Sequence, residues 1–235
     1  MPERIFRFKQ FSVVHSKSAM KVGTDAVLLG AWASIPNDGE ILDIGSGCGI
    51  ISLMLAQRSE VNITALDVDC HACEEAKFNV EQSPWPNRIS VVCGNISEYA
   101  RETRYSLIVC NPPYFSETMQ SPNPRRVLAR HSVLLTPEIL FESVSRLLAD
   151  RGCFSMIYPA DKEKQIVEAA LKMQLHVARH CDVYATAGGV KIRVLLEFSH
   201  SKIPVEKTRL VIEDEKRHNF NRQYKNLTKE FYLNF

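Results

Sequence analysis

The chain has 235 residues, 45% of them hydrophobic, and a formal net charge of +2. That is enough to bury one large core. The apolar runs are too short to cross a bilayer, and the polar opening residues lack the apolar stretch of a secretory leader. Seven cysteines (48, 70, 73, 93, 110, 153 and 181) are scattered and odd in number, so free thiols in a reducing cytoplasm are expected.

From residue 40 onward, short apolar runs alternate with helical spacing. Strands are expected at 40–44, 62–66, 88–93, 105–110 and 153–158. Helices are expected at 50–58, 72–82, 136–149 and 161–173, the third capped by Thr136 with Pro137 in its first turn. Two β-rich runs, 177–184 and 191–198, read as a hairpin around Gly188-Gly189. Regular alternation implies an α/β fold with a doubly wound, mostly parallel sheet of seven strands, carrying an antiparallel hairpin at one edge. Residues 1–39 then form an N-terminal segment over the ligand site, 40–200 the main domain and 201–235 a basic tail.

Gly45-Ser46-Gly47-Cys48-Gly49 joins the first of these strands to its helix. Alternate glycines allow a tight turn and let a ligand approach backbone. The spacing GxGxG is not the dinucleotide GxGxxG, since residue 50 is Ile; it favours a nucleoside with a short zwitterionic tail. Asp43 orients this loop from below. Asp67 stands at the end of the next strand, 18 residues after Gly49, where a carboxylate can accept both hydroxyls of a ribose. Asp69 competes for that role. Asn95, past the third strand, can accept from an adenine amino group through its carbonyl oxygen.

The fourth strand ends in Asn111-Pro112-Pro113-Tyr114-Phe115. An exocyclic amine on a planar ring has a delocalised lone pair and is a poor nucleophile. The Asn111 side-chain oxygen and the Pro112 carbonyl can each accept one amino hydrogen, leaving the lone pair aimed at an electrophilic carbon. The prolines hold both acceptors in place. Tyr114 gives a flat face for stacking, which Phe115 can extend.

Together, GxGxG, Asp67 and Asn-Pro-Pro-Tyr resemble class I S-adenosylmethionine-dependent methyltransferases that alkylate planar amino groups. The run Lys21-Val22-Gly23-Thr24-Asp25-Ala26, with Ala129-Arg130-His131 and Arg193-Val194-Leu195-Leu196-Glu197-Phe198, is similar to the bacterial tRNA1(Val) adenine-N6 methyltransferase family. The resemblance covers about residues 6–200 and departs from the family at Asn95, where Asp is usual. It implies S-adenosylmethionine as cofactor, held by Lys21, Thr24, Asp25, Asp43, Gly45, Gly47, Gly49, Asp67, Asn95 and Asn111. Catalysis falls to Asn111, Pro112 and Tyr114. The substrate is an adenine in a tRNA anticodon loop, position 37, contacted by Pro113, Phe115, Arg125, Arg126 and Arg130. For Thr24 and Asp25, helix capping is the competing reading.

Charge is uneven. Arg4, Arg7, Lys9, Lys17 and Lys21 oppose Glu3 alone, and residues 200–235 hold eight Lys/Arg against five acids. Basic surface on a nearly neutral chain suits a nucleic acid, although each cluster also reads as ordinary solvated charge. Cys70-His71-Ala72-Cys73 lacks the partner ligands of a zinc site and reads as packing, so no metal is expected. A monomer with no membrane association is expected. Glutamine methyltransferases of release factors and guanine-N2 methyltransferases of ribosomal RNA share the planar-nitrogen problem. The first usually carry a helical N-terminal domain, for which 44 residues before Gly45 leave little room. A non-catalytic RNA-binding adaptor remains the reading from another class.

Overall fold

The structure is a computed structural model that describes residues 4–16, 21–112, 135–214 and 219–234. The chain opens with a short antiparallel hairpin, β1 (Ile5–Arg7) and β2 (Ser12–Val14). Helix α1 (Thr24–Trp32) follows, buried from Ala26 to Trp32. Then come β3 (Glu40–Ile44), α2 (Ile50–Arg58), β4 (Asn62–Asp67), α3 (Cys70–Glu81), β5 (Ile89–Cys93) and β6 (Tyr105–Cys110). Helix α4 (Pro137–Leu147) runs directly into β7 (Leu148–Pro159), and α5 (Glu163–Lys172) leads to the hairpin β8 (His176–Thr186) and β9 (Lys191–Ser199). The strand β10 (Glu206–Glu213) and helix α6 (Arg222–Thr228) finish the chain.

The main sheet has the order β10-β8-β9-β7-β6-β3-β4-β5. Pairs β3–β4, β4–β5, β3–β6, β6–β7 and β8–β10 are parallel; only β9 runs against its neighbours β7 and β8. The α/β doubly wound architecture is thus as expected. The chain moves outward from β3 to β5, then returns to the far side of β3 as β6. Beside β3, at the carboxyl ends, the topology therefore opens a crevice.

Alternation sorts the core into two layers. On one face β3, β6 and β9 turn Ile41, Leu107, Val109 and Leu195 toward α1 and α2. On the other they turn Leu42, Ile44, Ile108, Val194 and Leu196 toward α4 and α5. Such central strands, covered on both faces, read in sequence as unbroken apolar runs. Glu197 is buried among these layers. It accepts from Ser34 Oγ (3.0 Å) and Ser155 Oγ (2.9 Å) and faces Arg179 Nη1 at 3.3 Å. A buried carboxylate is tolerated when its oxygens are so occupied.

Two expectations need correction, and one element is added. The sheet has an eighth strand: residues 206–213, inside the segment expected as a basic tail, pair in parallel with β8. This is an edge strand. Its first four residues are exposed and only Leu210 and Val211 are buried, so alternation is too weak to announce it. The hairpin β1–β2 is a second addition; its strands have three residues each, too few to show a period. Finally, Cys70 and Cys93 are joined in a disulfide, with Cα atoms 5.4 Å apart, in place of the free thiols expected. The cause is topological. Cys70 opens α3 just past the end of β4, and Cys93 ends the neighbouring strand β5. Cys48, Cys73, Cys110, Cys153 and Cys181 are in no disulfide. No helix among the described residues is long and apolar enough to cross a membrane.

Candidate active site

The rim of the crevice is set by strand register. Ile44 at the end of β3 stands opposite Cys110 of β6 on one side and Leu66 of β4 on the other. The next residues are Gly45, Asn111 and Asp67. Three segments far apart in sequence thus reach one edge at one level. Asn111 is half-buried and Pro112 is buried.

Gly45, Gly47 and Gly49 all have left-handed backbone, with φ of 70°, 55° and 83°. Other residues adopt that region only at a cost, which explains the residue type. Their surroundings differ. A Cβ placed on Gly45 or Gly47 would meet no described atom within 4 Å, so the loop's outer side is open. On Gly49 it would meet Ala76 Cβ at 3.4 Å. Gly49 thus lies against α3, whereas the backbone of Gly45 and Gly47 borders open space.

Asp67 closes the loop from the side. Its Oδ2 accepts from the Gly47 N–H at 2.7 Å and its Oδ1 from the Asp69 N–H at 2.9 Å. Burial raises its carboxyl above the ordinary value, and these two bonds oppose that shift. Asp69 is otherwise occupied: it caps α3, its Oδ1 accepting from the His71 N–H at 2.9 Å. Of the two carboxylates, Asp67 is therefore the one bonded to the glycine loop, and Asp69 the one bonded to the first turn of α3. Val68, between them, leaves 46% of its surface exposed, an apolar patch beside the carboxylate.

Beneath the loop, Asp43 is fully buried. Its Oδ2 accepts from the backbone N–H (3.1 Å) and the Oγ (2.7 Å) of Ser52. Its Oδ1 has no hydrogen-bond partner among the described residues, and neither has Ser46 Oγ in the loop above. Burial raises the Asp43 carboxyl to about 7, against the opposing bonds from Ser52, with Asp67 adding repulsion. Two buried, unsatisfied oxygens beside an open glycine loop are what a donor-bearing ligand would complete.

Thr24 and Asp25 form the first turn of α1, which starts at Gly23 with no side-chain cap, so neither is used as one. Asp25 Oδ2 instead accepts from Arg193 Nε of β9 at 3.0 Å, across 168 residues. Lys21 is exposed just ahead of the helix. Asn95 is half-buried; its Oδ1 accepts from the Ser97 N–H at 3.1 Å, a local turn. Pro113, Tyr114, Phe115, Arg125, Arg126 and Arg130 lie outside the described residues.

The pattern reading missed two residues. Arg193 is one, although it lies in a run already singled out. The other is Asn79 of α3, 1% exposed. Its Nδ2 donates to Val14 O (2.8 Å) and Cys48 O (2.9 Å), and its Oδ1 accepts from the Val14 N–H (2.8 Å). One amide thereby fastens the N-terminal hairpin to the glycine loop. An isolated Asn in an amphipathic helix gives no sequence signal of this. Away from the rim, Glu163, His180 and Asp182 cluster, but Lys191 Nζ already lies 2.7 Å from Glu163 and 2.9 Å from Asp182. Its ammonium bridges the two carboxylates and offsets one of their two charges.

A doubly wound sheet with an open, left-handed glycine loop at its switch point and a carboxylate ending the next strand defines a nucleoside-binding α/β class. Solved structures share the fold. A predicted O-methyltransferase from Agrobacterium tumefaciens superposes with TM-score 0.70 at 18% identity, over 88% of this chain and 96% of that one. The glycopeptide N-methyltransferase MtfA, complexed with S-adenosylmethionine, superposes with TM-score 0.58 at 16% identity, over 80% and 98%. Residues 6–138 match the family described as methyltransferase small domain. A tRNA1(Val) (adenine(37)-N6)-methyltransferase of Phocaeicola vulgatus is 45% identical over 234 residues, covering 100% of both chains. The one from Bacteroides thetaiotaomicron is 43% identical, covering 99% of each. The chain belongs to this tRNA1(Val) adenine-N6 methyltransferase family.

Proposed function

We propose that the protein transfers a methyl group from S-adenosylmethionine to the N6 amine of adenine 37 in tRNA1(Val), in the cytoplasm. The observation that carries this reading is the shared level of Gly45, Asp67 and Asn111, fixed by the register of three strands. The cofactor supplies an electrophilic methyl on a sulfonium that departs as a neutral thioether.

The chain's own residues bind and align. Asp67 receives the ribose hydroxyls, and Gly45 and Gly47 let the ligand lie against backbone. Asp43 Oδ1 and Ser46 Oγ meet the polar methionine end, with Lys21, Thr24 and Asp25 beside it. Val68 and Asn95 border the adenine. Asn111 and the Pro112 carbonyl accept the two amino hydrogens of the target base, so its nitrogen can become tetrahedral. No strong base is needed, because the methylated ammonium is acidic. Alignment at near-contact distance supplies most of the acceleration. Pro113, Tyr114 and Phe115 complete the base pocket, and Arg125, Arg126 and Arg130 hold phosphates, which position the RNA without reading its sequence. An anticodon-loop base is already partly unstacked, so its extrusion costs little.

The test is incubation of the purified chain with unmodified tRNA1(Val) and S-adenosylmethionine, followed by nucleoside mass spectrometry. N6-methyladenosine at position 37 is expected. Methyl incorporation into guanine, or into a release-factor glutamine but not tRNA, would overturn the reading.

A further inference from the structure

The disulfide lies at the same rim. Cys93 is the β5 residue paired with Asp67 in the β4–β5 register, and the following Gly94 N–H donates to Asp67 O at 2.9 Å. Cys70 is the first residue of α3, next to the cap Asp69. The bond therefore clamps together the two segments that border Asp67: Val68-Asp69 on one side and Gly94-Asn95 on the other. Both half-cystines are exposed. The other cysteines around the rim are not: Cys48, Cys73 and Cys110 are buried. Burial raises the Cys73 thiol to about 11 and the Cys110 thiol well above its ordinary value, so neither offers a thiolate for exchange.

We infer that Cys70–Cys93 is a redox-modification site, taking a dithiol as its co-reactant and setting how firmly the edge around Asp67 is held. This rests on the cofactor site proposed above. A dithiol's thiolate attacks one sulfur of the bond, the other leaves as a thiolate and takes a proton, and a mixed disulfide forms. The dithiol's second sulfur then displaces the protein sulfur and closes a cyclic disulfide. Two electrons and two protons pass from the dithiol to the pair, which ends as two thiols. With the bond intact, the segments beside Asp67 are preorganised for the adenosine half of the ligand. Reduced, the start of α3 loses its covalent tie to the loop after β5, and hydrogen bonds through Asp67 hold the two. The cost of ordering them then falls on ligand binding.

The test uses the full chain in two states: oxidised with diamide, and reduced with dithiothreitol. Alkylation and peptide mapping should give a Cys70–Cys93 linked peptide in the first state and two alkylated cysteines in the second. Calorimetry with S-adenosylhomocysteine should show about fivefold weaker binding after reduction. Cys70→Ser and Cys93→Ser should bind at the reduced level and ignore dithiothreitol. Should either variant fail to fold, the two states of the native chain decide alone. Alkylated thiols or a mixed disulfide after oxidation, equal affinity in both states, or a Cys70→Ser chain that still responds to dithiothreitol would each overturn the inference. Binding in neither state would overturn the cofactor-site reading instead. The peptide map would then decide for the redox site: a linked pair supports it, and two alkylated thiols overturn it.

Discussion

Asp67 Oδ2 lies 2.7 Å from the backbone N of Gly47, so the carboxylate proposed to receive the ribose also fixes the glycine loop. The two functions share one side chain. Asp67→Ala removes both the acceptor for the ligand and the acceptor for Gly47. Hydrogen bonds to a charged group are worth about 1.5–3 kcal/mol, so S-adenosylhomocysteine affinity should fall about 10- to 100-fold. Calorimetry checks this, and unchanged affinity would remove Asp67 from the site.

The task proposed for Asn111 is different. If it meets the accepting amine and supports its change of geometry, its loss should be felt in turnover. For Asn111→Ala, kcat should fall about 10²- to 10³-fold, the usual loss for one preorganised polar group at a reacting centre. S-adenosylhomocysteine affinity should change little. Single-turnover methylation beside calorimetry separates the two, and full turnover by the variant would contradict the mechanism.

Asp43 predicts a pH dependence. Its carboxyl is raised by burial to about 7 in the folded chain and is ordinary in the unfolded one. The folded state therefore binds the proton more tightly, and the stability this contributes is present below the ordinary carboxylate range. It is lost as pH rises toward the raised value. Denaturant titrations of the ligand-free chain between about pH 4 and about pH 8 should show that loss, and Asp43→Asn should flatten it. Ligand binding should respond the other way. An ionised Asp43 suits an ammonium, so S-adenosylhomocysteine affinity should rise with pH up to about 7. In the Asp43→Asn variant that rise should vanish.

Asn79 joins elements otherwise separate in sequence, from Val14 to Cys48. Asn79→Ala removes three hydrogen bonds to the backbone of both, the one to Cys48 O being buried. We expect a loss of about 2 kcal/mol in stability and a melting temperature lower by several degrees. Because Cys48 belongs to the glycine loop, ligand affinity should fall as well. Added S-adenosylhomocysteine should raise the variant's melting temperature less than the wild type's.

The amino-acid sequence by itself determined the alternation of strands and helices, since apolar periodicity is a local property of the chain. The strands 40–44 and 105–110 and the helix 50–58 stand where periodicity puts them. It also determined the loop, because left-handed turns demand glycine at 45, 47 and 49. Only the tertiary structure decided what depends on register and packing. Which of Asp67 and Asp69 faces the loop was decided by the Gly47 N–H, which reaches Asp67, while Asp69 caps α3. Arg193 met Asp25 because β9 entered beside β7, and Asn79 met Cys48 because α3 crossed the glycine loop. Cys70 and Cys93 came together because β4 and β5 lie side by side. The edge strand 206–213 was illegible for a related reason: its pairing is supplied by β8, and its own exposed residues carry almost none of the apolar alternation that marks a strand.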